Sequence, residues 1–157
     1  MCARSERVQG FLREDAARFV EKRYASVFIL PDPEDPTRVL GYYSLSPGSV
    51  AKADLINRHD RSKYTEKGIP VPIALIGYMG RADYAPQGLG GVLLVDAAIR
   101  LETGKGPLKA WGIGLEPENE GLVPWYAKMG FVMPKNPREK PFMYGHISDF
   151  LPPPEQD

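Results

Sequence analysis

The sequence contains little cysteine, little histidine and no excess of either charge sign. It has one cysteine and two histidines among 157 residues, with 20 lysines and arginines against 20 aspartates and glutamates. Cys2 alone cannot form an internal disulfide, and His59 and His146 without a cysteine beside them do not make a metal site. The balanced charge does not imply a partner bound by bulk charge alone, although a local basic patch is still allowed. We expect a protein of the reducing cytoplasm that carries no metal.

Long hydrophobic runs are also missing. The longest, at 73–76 and 91–95, are far shorter than the roughly 20 apolar residues that cross a bilayer. The charged segment Met1–Arg13 lacks the apolar centre of a secretory signal. Hydrophobic residues make up 43% of the chain, which is enough for one buried core. The expectation is one soluble intracellular domain over 1–157, with a loose proline-rich tail at 148–157.

Hydrophobic periodicity predicts an alternation of helices and strands. Apolar residues three and four apart predict helices, and runs rich in β-branched and aromatic residues predict strands. The polar, mildly basic segment 46–68 predicts a loop or irregular helix. In chain order the predicted elements are a helix at 8–20, strands at 25–30, 39–45 and 70–79, a helix at 88–101, a strand at 108–115, a helix at 118–129 and a final strand pair at 131–133 and 142–147. This order predicts a mixed α/β fold with helices packed on a sheet.

The segment Tyr84–Leu94, Y-A-P-Q-G-L-G-G-V-L-L, places three glycines between a predicted strand and a predicted helix. Such a turn exposes backbone N–H groups at the positive end of the helix dipole, which suits a phosphate or pyrophosphate. A Walker A loop would need Gly-Lys-Ser or Gly-Lys-Thr, whereas Gly90 is followed by Gly91 and Val92. A Rossmann fingerprint would need an acidic residue at the end of the next strand, which ends in G-I-G-L. A third ligand class is the pyrophosphate of coenzyme A.

Two motifs resemble those of the GNAT N-acetyltransferases. A-P-Q-G-L-G, Ala85–Gly90, is similar to the glycine signature Q/R-x-x-G-x-G/A, with Ala85 at the Gln or Arg position. N-E-G-L-V-P-W-Y-A-K-M-G-F, Asn119–Phe131, is similar to the family pattern N-x-x-A-x-x-x-Y-x-x-x-G-F. The resemblance covers about 25–147. It implies the GNAT acyl-CoA N-acyltransferase fold, a central mixed and mostly antiparallel sheet flanked by helices, here without the family's first strand.

The resemblance also implies an activity and its residues. Acetyl-CoA would donate its acetyl group to a primary amine by direct attack in a ternary complex, with no metal, and Tyr126 would be the general acid to the sulfur. The acetyl carbonyl would lie against amides of Gly77–Arg81, with Met79 and Gly80 nearest. The implied coenzyme-binding residues are Met79, Gly80, Arg81, Gln87, Gly88, Leu89, Gly90, Gly91, Val92 and Asn119. The alternatives are a core role for Tyr126, helix–sheet packing for the glycines and a helix cap for Asn119.

The general base stays open at this point. The predicted strand 70–79 has no aspartate or glutamate, so Asp83, Glu116 and Glu118 are the candidates. A lysine side chain, with an ordinary pKa of about 10.4, must be deprotonated before attack, whereas an α-amine, near about 7.7 to 8.0, is partly neutral already. The absence of a base on this strand favours an α-amine acceptor.

A narrower resemblance concerns Val39–Val50 and Gly10–Ala16, which look like segments of the GNAT toxins of bacterial toxin–antitoxin pairs. Those toxins acetylate the α-amine of aminoacyl-tRNA. The resemblance implies aminoacyl-tRNA and an antitoxin protein as partners, a homodimer, and no membrane. Two features depart from it, because Tyr78 stands where such toxins carry an arginine and the chain is neutral where they are basic. A further alternative is a non-catalytic acyl-CoA-binding module that acts as a sensor or scaffold.

Overall fold

A five-stranded sheet forms the centre of the computed structural model, which describes residues 9–56, 68–104 and 108–154. The strand order is β1-β2-β3-β4-β5. Only β3 and β4 run parallel, and the other neighbours are antiparallel. The strands are β1 (Ser26–Pro31), β2 (Val39–Val50), β3 (Val71–Arg81), β4 (Gly112–Leu115) and β5 (Met143–His146). This confirms the predicted mixed, mostly antiparallel sheet.

Helices pack on both faces of the sheet. Helix α1 joins a π-helical turn, Phe11–Asp15, to an α-helical segment, Ala16–Glu21; α2 is Leu89–Thr103 and α3 is Val123–Lys128. Short 3-10 segments occupy Lys52–Asp54, Glu120–Leu122 and Ile147–Asp149. Because successive side chains of a strand point to opposite faces, neighbouring residues of β2 reach different helices. Tyr42 is buried with α1, whereas Tyr43 is buried in the main core with α2 and α3.

Strand β2 is longer than the sequence predicted. The predicted strand ended at 45, but Ser46–Val50 continues in register with Val71–Leu75 of β3. Pro47 lacks an N–H group, which normally disfavours a strand interior. It is tolerated because β1 pairs with β2 only as far as Leu45, so one edge of β2 is open beyond that point. The prediction of a loop was therefore wrong for 46–50.

Three other predicted elements are shorter or divided. The strand predicted at 108–115 begins only at Gly112. The helix predicted at 118–129 is a 3-10 turn followed by α3, which has a proline in its first turn. The strand predicted at 131–133 contributes one isolated bridge between Val132 and Tyr144. Apolar residues of the two predicted strands are exposed, Leu108 by 85% and Val132 by 40%, so neither side chain is drawn into the core.

The predicted loose tail is wrong for its first residues. Phe150 is only 5% exposed, and its ring lies 4.6 Å from that of Phe131, measured between ring centres. Residues 57–67 of the predicted basic loop and the last residues, 155–157, lie outside the described part of the chain. Within that part, no helix has the length and apolar character needed to cross a membrane.

Candidate active site

Strands β3 and β4 separate and leave a gap between them. They pair from Ile73 opposite Gly112 to Ile76 opposite Leu115. Strand β4 ends there, whereas β3 continues to Arg81. The edge of β3 from Gly77 to Arg81 therefore has no β-strand partner on this side in the described chain. This free edge, Gly77–Arg81, is the stretch against which the resemblance places the acetyl carbonyl.

On its other side, β3 contains a bulge at the start of this free edge. Tyr43 of β2 lies opposite Met79, but Leu45 lies opposite Ile76, so β3 carries one extra residue around Gly77 and Tyr78. The backbone N–H of Tyr78 donates to Oγ of Ser44 at 2.9 Å. Ser44 is a polar side chain only 1% exposed, and this hydrogen bond satisfies an amide that the bulge removes from the ladder.

The bulge sets which amides face the gap. The N–H of Tyr78 points toward β2, and so does that of Ala82, which donates to the carbonyl of Leu40 at 2.8 Å. Backbone N–H groups alternate between the two edges of a strand. The N–H groups of Met79 and Arg81 therefore point into the gap, and that of Gly80 points toward β2. Of the two amides expected nearest the acetyl carbonyl, Met79 has the suitable direction and Gly80 does not.

The gap holds a cavity of about 450 Å³. Residues 75–79 of β3 form one wall, and Leu115, with the loop 116–118 that follows, forms the other. Tyr126 and Leu122 close one side, and Lys140 and Pro141 line the cavity as well. This volume lies within the usual range for small-molecule sites. A ligand could enter between the separated strands without breaking the sheet.

Tyr126 is part of the hydrophobic core and also lines the cavity. It is 7% exposed, and the rings of Trp125 and Phe131 meet it edge-on at 4.9 and 5.7 Å between ring centres. Burial and the negative charge of Glu118 raise the pKa of Tyr126 to about 12. The hydroxyl is therefore protonated at neutral pH and able to donate a hydrogen bond. The core and acid interpretations of this residue are compatible.

Gly130 and Phe131 follow the end of α3 and turn the chain back toward Tyr126. Gly130 has φ 109°, a conformation that side chains with a Cβ rarely adopt. The N–H of Phe131 donates to the carbonyl of Tyr126 at 3.2 Å, and the Phe131 ring is buried. This local geometry explains why the spacing Y-x-x-x-G-F is kept.

The three candidate bases do not all lie in the same cavity. Glu116 and Glu118 line the cavity together with Tyr126. Asp83 does not; it lines a different cavity near the end of β3. Glu118 also affects Tyr42 on the α1 face, where burial, Tyr78 and Glu118 raise the pKa of the phenol. A carboxylate is thus present opposite the free edge of β3, on the loop after β4.

The glycine segment forms the start of α2. Gly88 immediately precedes the helix with φ 82°, a left-handed conformation natural to glycine. Among the described residues, the N–H groups at positions 87–90 donate to no carbonyl, whereas those of Gly91 and Val92 donate to the carbonyl of Gly88 at 3.1 and 3.4 Å. Four amides, those of Gln87, Gly88, Leu89 and Gly90, are therefore available for an anion.

Three other predicted site residues, Gly91, Arg81 and Asn119, have different surroundings. A Cβ on Gly91 would lie 3.2 Å from Cε of Met129, so this glycine serves helix packing, and its amide is already used. Arg81 donates from Nη1 to the carbonyl of Ala85 at 3.2 Å. This places a guanidinium next to Ala85, the position where the family signature has Gln or Arg. Asn119 occupies the N-cap position of the 3-10 turn, but its side chain makes no cap hydrogen bond.

The described residues hold no group of histidine, cysteine, aspartate and glutamate side chains that could bind a metal ion. Sequence reasoning missed Ser44, which supports the bulge from β2. Its only sequence signal was a small hydroxyl residue in a strand otherwise apolar and aromatic. It also could not choose among the three carboxylates, because they lie on loops whose positions depend on the fold.

No protein-family profile matches the chain. The probable toxin TacT of Sinorhizobium fredii is 30% identical over 95 residues, which are 60% of this chain and 51% of TacT. The chain thus aligns with about half the length of this relative.

Solved structures are similar over nearly the whole chain. A mutant of KacT is 18% identical with a TM-score of 0.80 and coverage of 95% of this chain and 86% of KacT. AtaT complexed with acetyl-methionyl-tRNAfMet is 21% identical with a TM-score of 0.79, and 92% of this chain and 84% of AtaT are covered. The chain has the GNAT fold. A mutant of the AtaT toxin bound to the C-terminus of the antitoxin AtaR and acetyl-CoA is 18% identical with a TM-score of 0.71, covering 96% of this chain and 85% of AtaT.

The gap between β3 and β4 lies beside Gly77–Arg81, the stretch where the resemblance placed the acetyl carbonyl. The glycine turn lies between the end of β3 at Arg81 and the start of α2 at Leu89. The chain's named neighbours include toxins of toxin–antitoxin pairs, in agreement with the narrower resemblance of the sequence.

Proposed function

We propose that the protein is an acetyl-CoA-dependent N-acetyltransferase that acts on a primary amine. The observation that carries the proposal is a free edge of β3 with Tyr126 in the cavity beside it, followed along the chain by a row of available amides at the start of α2. Acetyl transfer from a thioester to an amine needs an anchor for the donor, hydrogen bonds to the carbonyl oxygen and a donor to the departing sulfur. Each feature supplies one of these.

The glycine turn anchors the donor. Amides of residues 87–90 at the N-terminus of α2 suit a pyrophosphate, because the helix dipole adds a positive field there. Arg81, held against the carbonyl of Ala85, adds positive charge beside the turn and compensates for the side chain that Ala85 lacks. The N–H of Met79 then donates to the acetyl carbonyl oxygen as it gains negative charge.

Tyr126 assists the departure of the sulfur. Its pKa of about 12 lies above that of an ordinary thiol, about 8.5. The hydroxyl therefore acts mainly by donating a hydrogen bond to the sulfur as negative charge develops. The proton that finally neutralises the thiolate comes from the attacking amine, which loses one when the new C–N bond forms and the C–S bond breaks.

Glu118 is the residue that we propose to receive the amine. An ammonium group is attracted to a carboxylate and is not a nucleophile until it loses a proton. Glu118 lies in the same cavity as Tyr126, across from the free edge of β3. In this position its carboxylate can hold the acceptor and take its proton.

A tRNA-linked α-amine is the second candidate acceptor. The observation in its favour is the structural similarity to AtaT, which has been solved with acetyl-methionyl-tRNAfMet. An α-amine has a pKa low enough to need little help from a base. With this acceptor the protein would be a toxin that blocks translation, with an antitoxin as its partner and a homodimer as its assembly.

The test is the release of free thiol from acetyl-CoA with three acceptors: a lysine-containing peptide blocked at its N-terminus, a peptide with a free α-amine, and an aminoacyl-tRNA. Mass spectrometry of the acceptor identifies the acetylated amine. We expect turnover with an α-amine. Tight binding of acetyl-CoA without turnover on any acceptor would instead favour the non-catalytic acyl-CoA-binding module.

A further inference from the structure

The cavity between β3 and β4 contains a lysine of the protein itself. Lys140 lines it together with Tyr126 and Glu118, and no other lysine of the described residues does so. A lysine side chain ends in a primary amine, which is the kind of acceptor that the proposed reaction uses. A potential acceptor is therefore built into the wall of the cavity where the acetyl group would be transferred.

The loop that carries Lys140, residues 134–141, is held in place on both sides. On one side, the N–H of Lys135 donates to the carbonyl of Asp54 at 2.9 Å. On the other side, the ring of Phe142 is only 2% exposed, and the guanidinium of Arg138 lies 4.0 Å from its centre. These contacts restrain the backbone around Lys140 beside the cavity.

The side chain of Lys140, in contrast, is not held. It is exposed, and it forms no ion pair with any residue that the structure describes. A lysine carries its ammonium group on a flexible four-carbon stem, so the amine can turn toward solvent or into the cavity. No contact of its own has to break before the amine enters the cavity.

We propose that Lys140 is an intramolecular acceptor, so that the protein acetylates its own side chain at this position. The proposal rests on the proposed acetyltransferase function, because it uses the same donor and the same groups. Glu118 takes one proton from the ammonium group, and the neutral Nζ attacks the acetyl carbonyl carbon. The C–N bond forms, the C–S bond breaks, and the second proton lost by the nitrogen neutralises the thiolate. The products are Nε-acetyllysine and free coenzyme A.

Proximity favours this lysine over the other lysines of the protein. A lysine amine is mostly protonated near neutral pH, which slows its attack on a thioester. Holding the two reactants together in one site offsets this disadvantage, because the attack becomes intramolecular. Lys135 lies on the same loop but does not line the cavity, so it gains no such advantage. Acetylation of Lys140 also removes the positive charge of its ammonium group, and the reaction stops after one acetyl group per chain.

The test incubates the full chain with acetyl-CoA and without any added amine. Thiol release and the mass of the intact protein are followed together, and the product is digested with an endoproteinase that cleaves after glutamate. Cleavage after Glu139 separates Lys140 from Lys128 and Lys135, so the acetylated peptide identifies the residue. The variants are Lys140→Arg, which keeps the charge but offers no acceptor amine, and Lys135→Arg, the matched control at an exposed position of the same loop. Thermal melts establish that every variant is folded.

We expect the wild type to release thiol until each chain carries one acetyl group, located at Lys140, at a rate independent of protein concentration. Lys135→Arg should behave as the wild type does, and Lys140→Arg should release no thiol. Tyr126→Phe should slow the reaction about 10²- to 10⁴-fold. Acetyl groups spread equally over Lys128, Lys135 and Lys140, or a rate that Tyr126→Phe does not change, would overturn the proposal, since chemical acetylation from solution would then explain the product.

Failure of this inference is distinguishable from failure of the acetyltransferase function. A wild type that acetylates an added peptide at its α-amine but leaves Lys140 unmodified would overturn the inference and leave the function intact. Absence of both reactions would overturn both. A rate of Lys140 acetylation that rises with protein concentration would show transfer between chains and would also overturn the intramolecular assignment.

Discussion

Glu118 and Tyr126 line one cavity, and the carboxylate of Glu118 adds to burial in raising the pKa of the Tyr126 hydroxyl to about 12. The relationship joins two elements, since Tyr126 is on α3 and Glu118 is on the loop that leaves β4 at the gap. It keeps the tyrosine protonated and places a carboxylate beside it. In the proposed mechanism the acceptor amine uses the carboxylate and the departing thiolate uses the hydroxyl.

Replacing Glu118 with glutamine should lower kcat and change its dependence on pH. Loss of a general base typically costs about 10²- to 10⁴-fold. Loss of the negative charge also lowers the pKa of Tyr126, so the alkaline decline of kcat should begin at a lower pH than in the wild type. Glu116→Gln is the matched control, because Glu116 lines the same cavity. An equal effect of both variants would remove the specific role of Glu118.

The stability of the protein at high pH should depend on Tyr126. The folded pKa is about 12 and the ordinary value is 10.0, so the stabilisation is complete below pH 10 and is lost as the pH rises toward 12. In urea unfolding from about pH 9 to 11.5, the free energy of unfolding of Tyr126→Phe should fall less steeply than that of the wild type. Tyr24→Phe, at a residue 60% exposed, should keep the wild-type slope. Parallel curves for all three proteins would contradict the assignment.

Ser44→Ala should destabilise the bulge in β3. The change leaves the half-buried N–H of Tyr78 without this acceptor, and loss of such a hydrogen bond costs about 1 kcal/mol in the free energy of unfolding. Because the bulge directs the Met79 amide into the gap, kcat should fall as well. The control is Ser49→Ala, at an exposed position further along β2. Urea unfolding and steady-state kinetics measure the two effects, and loss of stability with full activity would separate the bulge from catalysis.

Gly88→Ala should weaken the binding of acetyl-CoA. A Cβ at this position meets nothing within 4 Å, so the cost is the left-handed backbone alone, about 1–2 kcal/mol. Relief of that strain would turn the amides at the start of α2 away from the pyrophosphate. Gly10→Ala is the control, since its Cβ also meets nothing within 4 Å and its φ is −62°. Calorimetry with acetyl-CoA should show weaker binding for Gly88→Ala only.

Local signals in the sequence were sufficient to predict the parts of the site that depend on one segment. Gly88 has a positive φ before α2, and Gly130 has one after α3. Both motifs therefore require glycine at a fixed position, which is visible in the sequence. The resemblance placed the acetyl carbonyl against Gly77–Arg81, and this stretch of β3 continues beyond its pairing with β4.

Features that depend on distant neighbours could not be predicted in the same way. Pro47 lies in a strand because β1 has already ended beside it, and Phe150 is buried because Phe131 lies beneath it. The choice of Glu118 over Asp83, and the support that Ser44 gives to Tyr78, require knowledge of which loops and strands meet.

The central claim is that the Tyr126 hydroxyl assists acetyl transfer in the gap between β3 and β4. Single-turnover acetyl transfer by Tyr126→Phe tests it most directly, with the Kd for acetyl-CoA measured in parallel and Tyr24→Phe as the control. We predict a rate about 10²- to 10⁴-fold below that of the wild type, with the Kd for acetyl-CoA unchanged. A rate equal to that of the wild type and of Tyr24→Phe would contradict the account.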